Sequence, residues 1–484
     1  MKRVYFFIPG LVILTLVAGA SAAQAQRQTP AGSIQTQSAA PADLTFTRLF
    51  LLDPMTSHPW RQSHTIVDGS GGVHLTFYDY DYIYYAHCAA DCGNPASWLE
   101  LPLFAVGDFD SLDEPTLSVD ASGRPRLMWF AAYGWGEDSY YYAECNANCT
   151  ASSANWTSTV VVQVDSYGYP HHVRYAALDT QDRPHLVHPK TDYPDYGFNY
   201  LSCDAGCATA SNWYTTTVVT PGLEPDALQL VFDPNGRPRV LGYDYNNDGL
   251  FYAECNSNCS NAANWGSIGQ IAPIYYFSDN NFVLRVDAQG RPRIAYYDGN
   301  SANNLLNYAW SNASPLTVGG WSSYTLNYPS RDNWTLDLAL DSQGRPSVAY
   351  STAVIENQPD GLAYLTCTAG CETASPTWQS QFIETTDDLD ASYPIATTPG
   401  CVSSAWMVEG YPALALNAAG SPSVAYSVRH AQFCYDYQGH LQMLFDAESV
   451  RFATAGGGII PPNPTPTPPP SDLPYRVSLP LVTR

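Results

Sequence analysis

From Leu44 to Ala455 the chain is written in short runs of Val, Ile, Leu, Phe and Tyr, broken every few residues by Gly, Pro, Asn or Asp. Alternation within the runs, and the lack of a sustained helical period, predict strands joined by tight turns. Residues 286–298, VDAQGRPRIAYYD, give the pattern in full. Val286 ends an apolar run, Asp287 can hydrogen-bond the turn backbone, and Gly290 can take a positive φ. Pro292 stands where a strand can begin, and Ile294 and Tyr296 suit a buried strand.

This hairpin recurs seven times. Its anchor is Asp68, Asp120, Asp179, Asp233, Asp287, Asp341 and Asn417, with spacings of 52, 59, 54, 54, 54 and 76 residues. After most anchors comes a second hairpin with a Tyr-rich first strand (YYAHC, YYAEC, NYLSC, FYAEC, NYAWS, AYLTC). A tryptophan then opens one more short strand: Trp98, Trp156, Trp213, Trp265, Trp321 and Trp378. Four short antiparallel strands per repeat is the pattern of a propeller blade, which cannot bury both faces alone but does so when blades stack around an axis. The seventh unit stops at VRFATA, without a Trp strand, while LTFTRLFLL (44–52) is a spare strand at the other end. The expectation is an all-β, seven-bladed β-propeller with four antiparallel strands per blade, its ring closed by the N-terminal strand. A stacked solenoid is the structural alternative.

The flanks read differently. Residues 1–25 form a secretory signal peptide: Lys2 and Arg3, an apolar stretch, then Ala23-Gln24-Ala25 as a small-x-small site, with Ala20-Ser21-Ala22 an equally legal one. Residues 26–43 are a flexible Gln/Ala/Ser/Pro-rich lead-in, 44–455 the propeller, 456–473 a Pro/Thr-rich linker, and 474–484 a short apolar and basic tail that resembles those of some exported bacterial proteins and reads either as a retention or sorting signal or as a frayed terminal strand. No later segment reads as a membrane span. The protein is expected to be secreted, or held at the cell surface, and monomeric.

Charge and cysteine narrow the classes. The full chain carries 45 acids against 21 basic residues, a net charge of −24; losing Lys2 and Arg3 makes it −26. Such a surface repels nucleic acid and anionic lipid. Ten of the twelve cysteines form five Cys-x-x-x-Cys pairs, Cys88/Cys92, Cys145/Cys149, Cys203/Cys207, Cys255/Cys259 and Cys367/Cys371, with Cys401 and Cys434 left over. In an exported chain these are expected to be disulfides, each local pair capping its hairpin. Zinc would need two pairs to converge, whereas the pairs are spaced one per repeat.

The Asp-x-x-Gly-Arg-Pro hairpins, with their Tyr- and Trp-marked strands, resemble seven-bladed propellers of the sialidase-like and lectin-like kinds found in secreted bacterial proteins. The Asp-box of that family, Ser-x-Asp-x-Gly-x-x-Trp, is not matched. A sialidase would also need an arginine triad, a Tyr/Glu nucleophile pair and an acidic proton donor. Arg124, Arg237, Arg291 and Arg345 belong to the repeat, and Arg61, Arg174, Arg285, Arg331 and Arg429 lack the family's motif context. The resemblance therefore implies architecture, and no catalytic residue is carried over.

In such a ring the near-constant GRP and Cys turns share one face, and the varied loops share the other. Tyr, Trp, Asp and Asn dominate the varied loops, a composition that suits sugar rings and hydroxyls or a protein partner. Candidate ligand-binding residues are Asp79, Tyr80, Trp135, Tyr193, Asp195, Asp244, Tyr245 and Asp298. Asp79, Asp244 and Asp298 each stand eleven residues after their anchor, so they either repeat a ligand site or cap their own hairpins. DYNNDG (244–249) opens like a calcium loop, which makes Asp244, Asn246 and Asp248 candidate metal ligands, but Cys255 stands where an EF-hand needs Glu. No other cofactor is implied. His185 and His188 are three apart in a strand, point to opposite faces and cannot share a metal directly. The preferred function is glycan or protein binding through the varied face. The alternative is a glycoside hydrolase or lyase at the central channel mouth, which would need two acids at a set separation.

Overall fold

The computed structural model describes residues 44–456 apart from 53, 55–58, 80–81, 106–110, 133–137, 165–173, 191–194, 275–280, 300–304, 330–334 and 353–359. Within these residues the strands group into seven four-stranded antiparallel sheets. Blade one is Pro59–Val67, Val73–Asp79, Tyr82–Cys88 and Trp98–Ala105, paired in that order, and the next five blades repeat it. The first strand of each blade touches the first strand of the next, and Cys401–Leu416 of blade seven touches Pro59–Val67 of blade one. The ring is therefore closed, with these strands innermost: a seven-bladed propeller. Among the described residues no helix is long and apolar enough to cross a membrane.

Closure comes from the N-terminal strand Phe46–Phe50. It is the outermost strand of blade seven and pairs antiparallel with Leu441–Ala455, from Phe46 opposite Ala455 to Phe50 opposite Arg451. Leu49 is buried there. A buried ion pair backs the seam: Arg451 donates to Glu384 of blade six, Tyr426 donates to the same carboxylate at 2.7 Å, and the Arg451 guanidinium lies over the Phe50 ring at 4.3 Å.

The repeated residues explain how blades form and stack. In blade five, Asp287 Oδ1 accepts the N–H groups of Gln289 and Arg291, each at 2.9 Å. Its Oδ2 takes Arg291 Nε at 2.7 Å and Arg293 Nη2 at 2.8 Å. Gly290 has φ +76°; in blade three Asp182 fills that place at φ +61°. Second strands such as Val73–Asp79 and Pro238–Asp244 are buried along their whole length, because both faces of each sheet are covered. The tryptophans lock neighbours together. Each packs edge-on against an aromatic ring on the third strand of the preceding blade: Trp156 on Tyr85 at 5.3 Å, Trp213 on Tyr142 at 5.5 Å, Trp265 on Tyr200 at 5.0 Å and Trp321 on Tyr252 at 5.5 Å. Trp98 meets Phe452 at 4.8 Å and carries the series across the seam. Such edge-to-face pairs contribute about 0.5–1.5 kcal/mol beyond area burial.

All twelve cysteines are paired. The five local bridges are Cys88–Cys92, Cys145–Cys149, Cys203–Cys207, Cys255–Cys259 and Cys367–Cys371, and the sixth, Cys401–Cys434, crosses two strands of blade seven. The local bridges do more than cap their hairpins. The first cysteine of each pair lies in the third strand, with the tryptophan opposite it in the register, as Cys88 with Trp98 and Cys255 with Trp265. The second, Cys92, Cys149, Cys207, Cys259 or Cys371, lies in the turn beyond the strand. Each bridge therefore folds the turn back onto its own strand and does not cross-link neighbouring strands. In that position the carbonyls of Cys92, Cys149, Cys207 and Cys259 accept the indole N–H of Trp98, Trp156, Trp213 and Trp265 at 3.1, 2.9, 2.9 and 2.9 Å. Blade six inserts a hydroxyl: Trp378 donates to Tyr324 OH at 3.0 Å, which donates to Cys371 O at 2.8 Å. The disulfide turn thus orients the ring that packs on the preceding blade, a link that sequence spacing did not reveal.

Peptide mapping of the non-reduced protein should recover these six pairs and no free thiol. Truncating Leu49 to Ala in the closing strand should cost about 2–5 kcal/mol in urea unfolding, as for other buried leucines.

Candidate functional site at the axis and varied-loop face

Innermost strands have no strand partner on the axial side, so their N–H groups need other acceptors. Side chains supply several of them. His64 Nδ1 of blade one accepts Leu117 N–H of blade two at 2.9 Å. Gln229 Oε1 accepts Leu284 N–H of the following blade at 2.8 Å. Asp337 Oδ2 of blade six accepts Leu414 N–H of blade seven at 2.7 Å.

Asp337 does more. Its Oδ1 also accepts its neighbour Leu338 N–H at 2.6 Å and Arg285 Nη2 of blade five at 2.9 Å. Arg174 of blade three adds a bidentate contact to both carboxylate oxygens. Arg174 directly follows the varied link 165–173 and sits at φ +60°, a conformation that costs a non-glycine residue about 1–3 kcal/mol. Burial alone would raise the Asp337 carboxyl, but the Arg174 and Arg285 guanidiniums outweigh it and hold the group below the usual carboxylate range. Burial and the same two arginines push His64 down to about 3. At neutral pH the cluster thus holds two guanidiniums, one carboxylate and an uncharged imidazole, a local excess of positive charge in an acidic protein.

The described residues among those singled out in the sequence fall at the varied-face ends of strands or in the loops between them. Asp79 Oδ1 accepts Tyr82 N–H at 2.6 Å and its Oδ2 accepts Tyr84 OH at 2.7 Å. Asp244 is buried, with Oδ1 accepting Glu224 N–H at 3.0 Å and Oδ2 accepting Asn247 Nδ2 at 2.6 Å. Asp298 Oδ1 accepts Leu305 N–H at 3.2 Å. All three carboxylates thus bond within or beside their own hairpins. Asn246 is exposed, and Asp248 accepts Tyr243 OH at 2.8 Å. Asp195 is exposed and Tyr245 is 66% exposed. Tyr80, Trp135 and Tyr193 lie outside the described residues. His185 and His188 are both buried; His185 bonds Tyr200 OH at 2.7 Å, and His188 stacks on Tyr140 at 5.2 Å.

Blade seven holds what sequence reasoning missed. Its first three strands run Cys401–Leu416, Pro422–Tyr435 and Leu441–Ala455, 14 to 16 residues each, whereas the second strand of blade four has 7. The extra seven residues of its second strand add roughly 23 Å on the varied side relative to the blade-four strand, at ~3.3 Å per residue. The projection is rigidly built. Cys401–Cys434 ties two strands, Arg429 joins Glu409 at 2.9 Å and Glu448 at 2.7 Å, and His430 and Gln432 both hold Asp446. Trp406 is fully buried under the helix Thr386–Ser392 and its following turn, donating Nε1–H to Tyr393 O at 2.8 Å. At the tip the Asp-x-x-Gly device returns: Asp436 Oδ1 accepts Gln438 and His440 N–H groups, each at 2.8 Å. The tip presents Tyr435 (60% exposed), Tyr437 (95%), Leu441 (50%) and, across the sheet, Val402 (60%). The signal was available in the 76-residue spacing before Asn417.

On the opposite face a shallow recess of about 310 Å³ lies between blades three, four and five, lined by Leu178, Asp179, Phe232, Asp233, Val286 and Asp287. Its three aspartates are each bound by an arginine of their own turn.

Replacing Asp337 by Ala removes the buried carboxylate that two half-buried guanidiniums share and should cost about 3–5 kcal/mol in chemical unfolding. Acid should weaken the fold before carboxylates titrate. His188 is pushed down to about 4 by burial and His64 to about 3, both below the unfolded value near 6.5. The unfolded chain therefore binds more protons, so this stability is complete above pH 6.5 and is lost as pH falls from there toward 4. A Tm that declines between pH 7 and 4 is expected; a flat profile would contradict buried neutral histidines.

No sequence-family profile and no curated protein matches the chain. Solved structures with similar architecture include a sialidase, NanB, of Streptococcus pneumoniae (13% identity, 84% of this chain and 69% of that one, TM-score 0.42). An oligogalacturonate lyase of Vibrio parahaemolyticus is also similar (10% identity, 85% and 96%, TM-score 0.43), as is a protein of unknown function from Dyadobacter fermentans (11% identity, 84% and 98%, TM-score 0.39). At these identities and TM-scores no residue role passes from those proteins to this chain.

Proposed function

We propose that the protein is an extracellular binding propeller that takes a glycan or protein ligand on its varied-loop face. The observation that carries this reading is the blade-seven projection, a braced three-stranded fin whose tip exposes Tyr435, Tyr437, Leu441 and Val402. Tyr82 and Tyr245 are exposed at strand ends on the same face. Tyrosines supply large, rigid contact area at low entropy cost and stack on sugar rings. Six disulfides fit an oxidising compartment.

Hydrolysis or lysis of an acidic sugar is the second reading. The positive excess of Arg174 and Arg285 at the axis favours it, since a ligand carboxylate would balance that charge. Against it, Asp337 is saturated by donors and held ionised, a poor proton donor. Asp79, Asp244 and Asp298 are engaged in hairpin bonds.

A glycan array and a panel of model glycosides separate the two. Array binding without hydrolysis is expected; hydrolysis without array binding would overturn the binding reading. Tyr437→Ala should weaken the bound ligand about tenfold, ~1.4 kcal/mol, with unchanged Tm because the ring is solvent-exposed. Loss of binding in EDTA that Asp248→Asn reproduces would assign calcium to Asp244, Asn246 and Asp248.

A further inference from the structure

We infer that Asp68, His74 and His87 of blade one form a binding site for a late first-row divalent cation, with Zn²⁺ as the reference case. Among the described residues they are the group of three potential ligands whose donor atoms all lie within 4.8 Å of one another. Asp68 Oδ2 stands 3.1 Å from His74 Nε2. A tetrahedron with ~2.0–2.1 Å bonds has edges of roughly 3.3 Å. His74 and His87 are direct cross-strand partners on the second and third strands, so both rings leave the same sheet face, their centroids 4.4 Å apart. Imidazole and carboxylate together suit zinc, copper or nickel.

The other blades show what this position does. Blade three keeps a histidine at His74's place, His185, 3.4 Å from Asp179 Oδ2 and bonded to Tyr200 OH at 2.7 Å, but it has Arg183 where blade one has Gly72 and Ser202 where blade one has His87. In blades two, four and five the residue at His74's place is Arg126, Arg239 or Arg293, and each gives Nη2 to the anchor aspartate, at 3.0, 2.9 and 2.8 Å. Four residues after the anchor a second arginine, Arg124, Arg237 or Arg291, donates Nε to the same oxygen. Blade one has Gly72 there instead. A methyl at Gly72 would stand 2.9 Å from Asp68 Oδ2 and 3.3 Å from His87 Nε2, so the glycine keeps the space between the ligands clear. A metal cation would supply the charge that two guanidiniums supply elsewhere, and would tie the anchor turn to the second and third strands as Arg126 does.

The surroundings orient the donors. Asp68 Oδ1 is taken by Ser70 N–H, Ser70 Oγ–H and Gly72 N–H at 2.8, 2.7 and 2.8 Å, while Oδ2 meets His74 Nε2 at 3.1 Å, a hydrogen bond whose proton the ion would replace. Tyr85 OH lies 2.6 Å from His74 Nδ1. With Nε2 on the metal, Nδ1–H donates to Tyr85, the outer hydrogen bond that metal-bound histidines usually have. His87 is half-buried, so the fourth position opens to water.

The test uses the mature chain without a histidine tag, stripped with EDTA and titrated with ZnCl₂ by calorimetry. A parallel sample takes Cu²⁺ for electron paramagnetic resonance. One equivalent of Zn²⁺, a higher Tm and a two-nitrogen copper signal are expected. His87→Ala should bind at least tenfold more weakly and lose one nitrogen coupling, and Tyr85→Phe should also weaken binding roughly tenfold. His440→Ala, an exposed histidine on the blade-seven tip far from this cluster in the chain, should leave Zn²⁺ uptake unchanged. Equal Tm values for metal-free wild type and metal-free His87→Ala confirm that the variant folds. No stoichiometric uptake by the wild type near neutral pH, or equal uptake by His87→Ala and His440→Ala, would overturn the site.

Discussion

A closed ring of blades leaves one edge of every sheet facing the axis, and that edge has no strand to pair with. Asp337 meets this constraint at the most crowded point. One carboxylate takes backbone N–H groups from blades six and seven and guanidiniums from blades three and five. Four of the seven blades are thereby held through a single side chain. In the protein interior such a bond set is strong only when complete, because each partner left alone would be a buried, uncompensated group. The outer scaffold is built the opposite way, from many equivalent parts. The Asp-x-x-Gly-Arg turn, the Cys-x-x-x-Cys loop and the Trp-on-Tyr contact recur around the ring, so no one copy carries the fold.

On the proposed reading, this division separates scaffold from recognition. On the GRP face five of the six anchor aspartates, all but Asp68, are bound by an arginine of their own turn, and the surface repeats. On the varied face the repeats diverge, and blade seven extends far past its neighbours behind an extra disulfide. A fin of three long strands would fray if only its backbone held it. The Arg429–Glu409–Glu448 and His430–Asp446–Gln432 contacts, with Trp406 buried at the base, give it an interior of its own. On the proposed reading, an aromatic tip braced in this way would lose less entropy on binding.

The ring was legible because its signals are local and repeated. An anchor, a glycine and a proline within six residues mark a hairpin wherever they fall, and a missing last strand beside a spare first one predicts closure. The cysteine pairs were legible for the same reason, but the indole bond to the second cysteine's carbonyl was not, because a backbone acceptor leaves no mark in the sequence. Asp337 was not legible either. In LDLAL it reads as an ordinary alternating polar position, and its partners Arg174 and Arg285 lie 163 and 52 residues away. The same limit hid the histidine pair of blade one. His185 and His188 stand out because they are close in sequence, yet a strand sends them to opposite faces. His74 and His87 are thirteen residues apart and meet only because the register places them opposite each other. Carboxylates at the strand ends were legible as a register, but their hydrogen bonds tie them to their own hairpins, which a linear pattern does not reveal.

The claim that joins these points is that the ring supports a recognition face formed by the varied loops and the blade-seven fin. Hydrogen–deuterium exchange of the chain, free and with a ligand found by array screening, tests it most directly. Protection confined to the varied-face strand ends and to the tip around Asp436–His440 is the predicted result. Protection centred on the repeated turns, such as Asp287–Arg291, with no change at the tip, would contradict it.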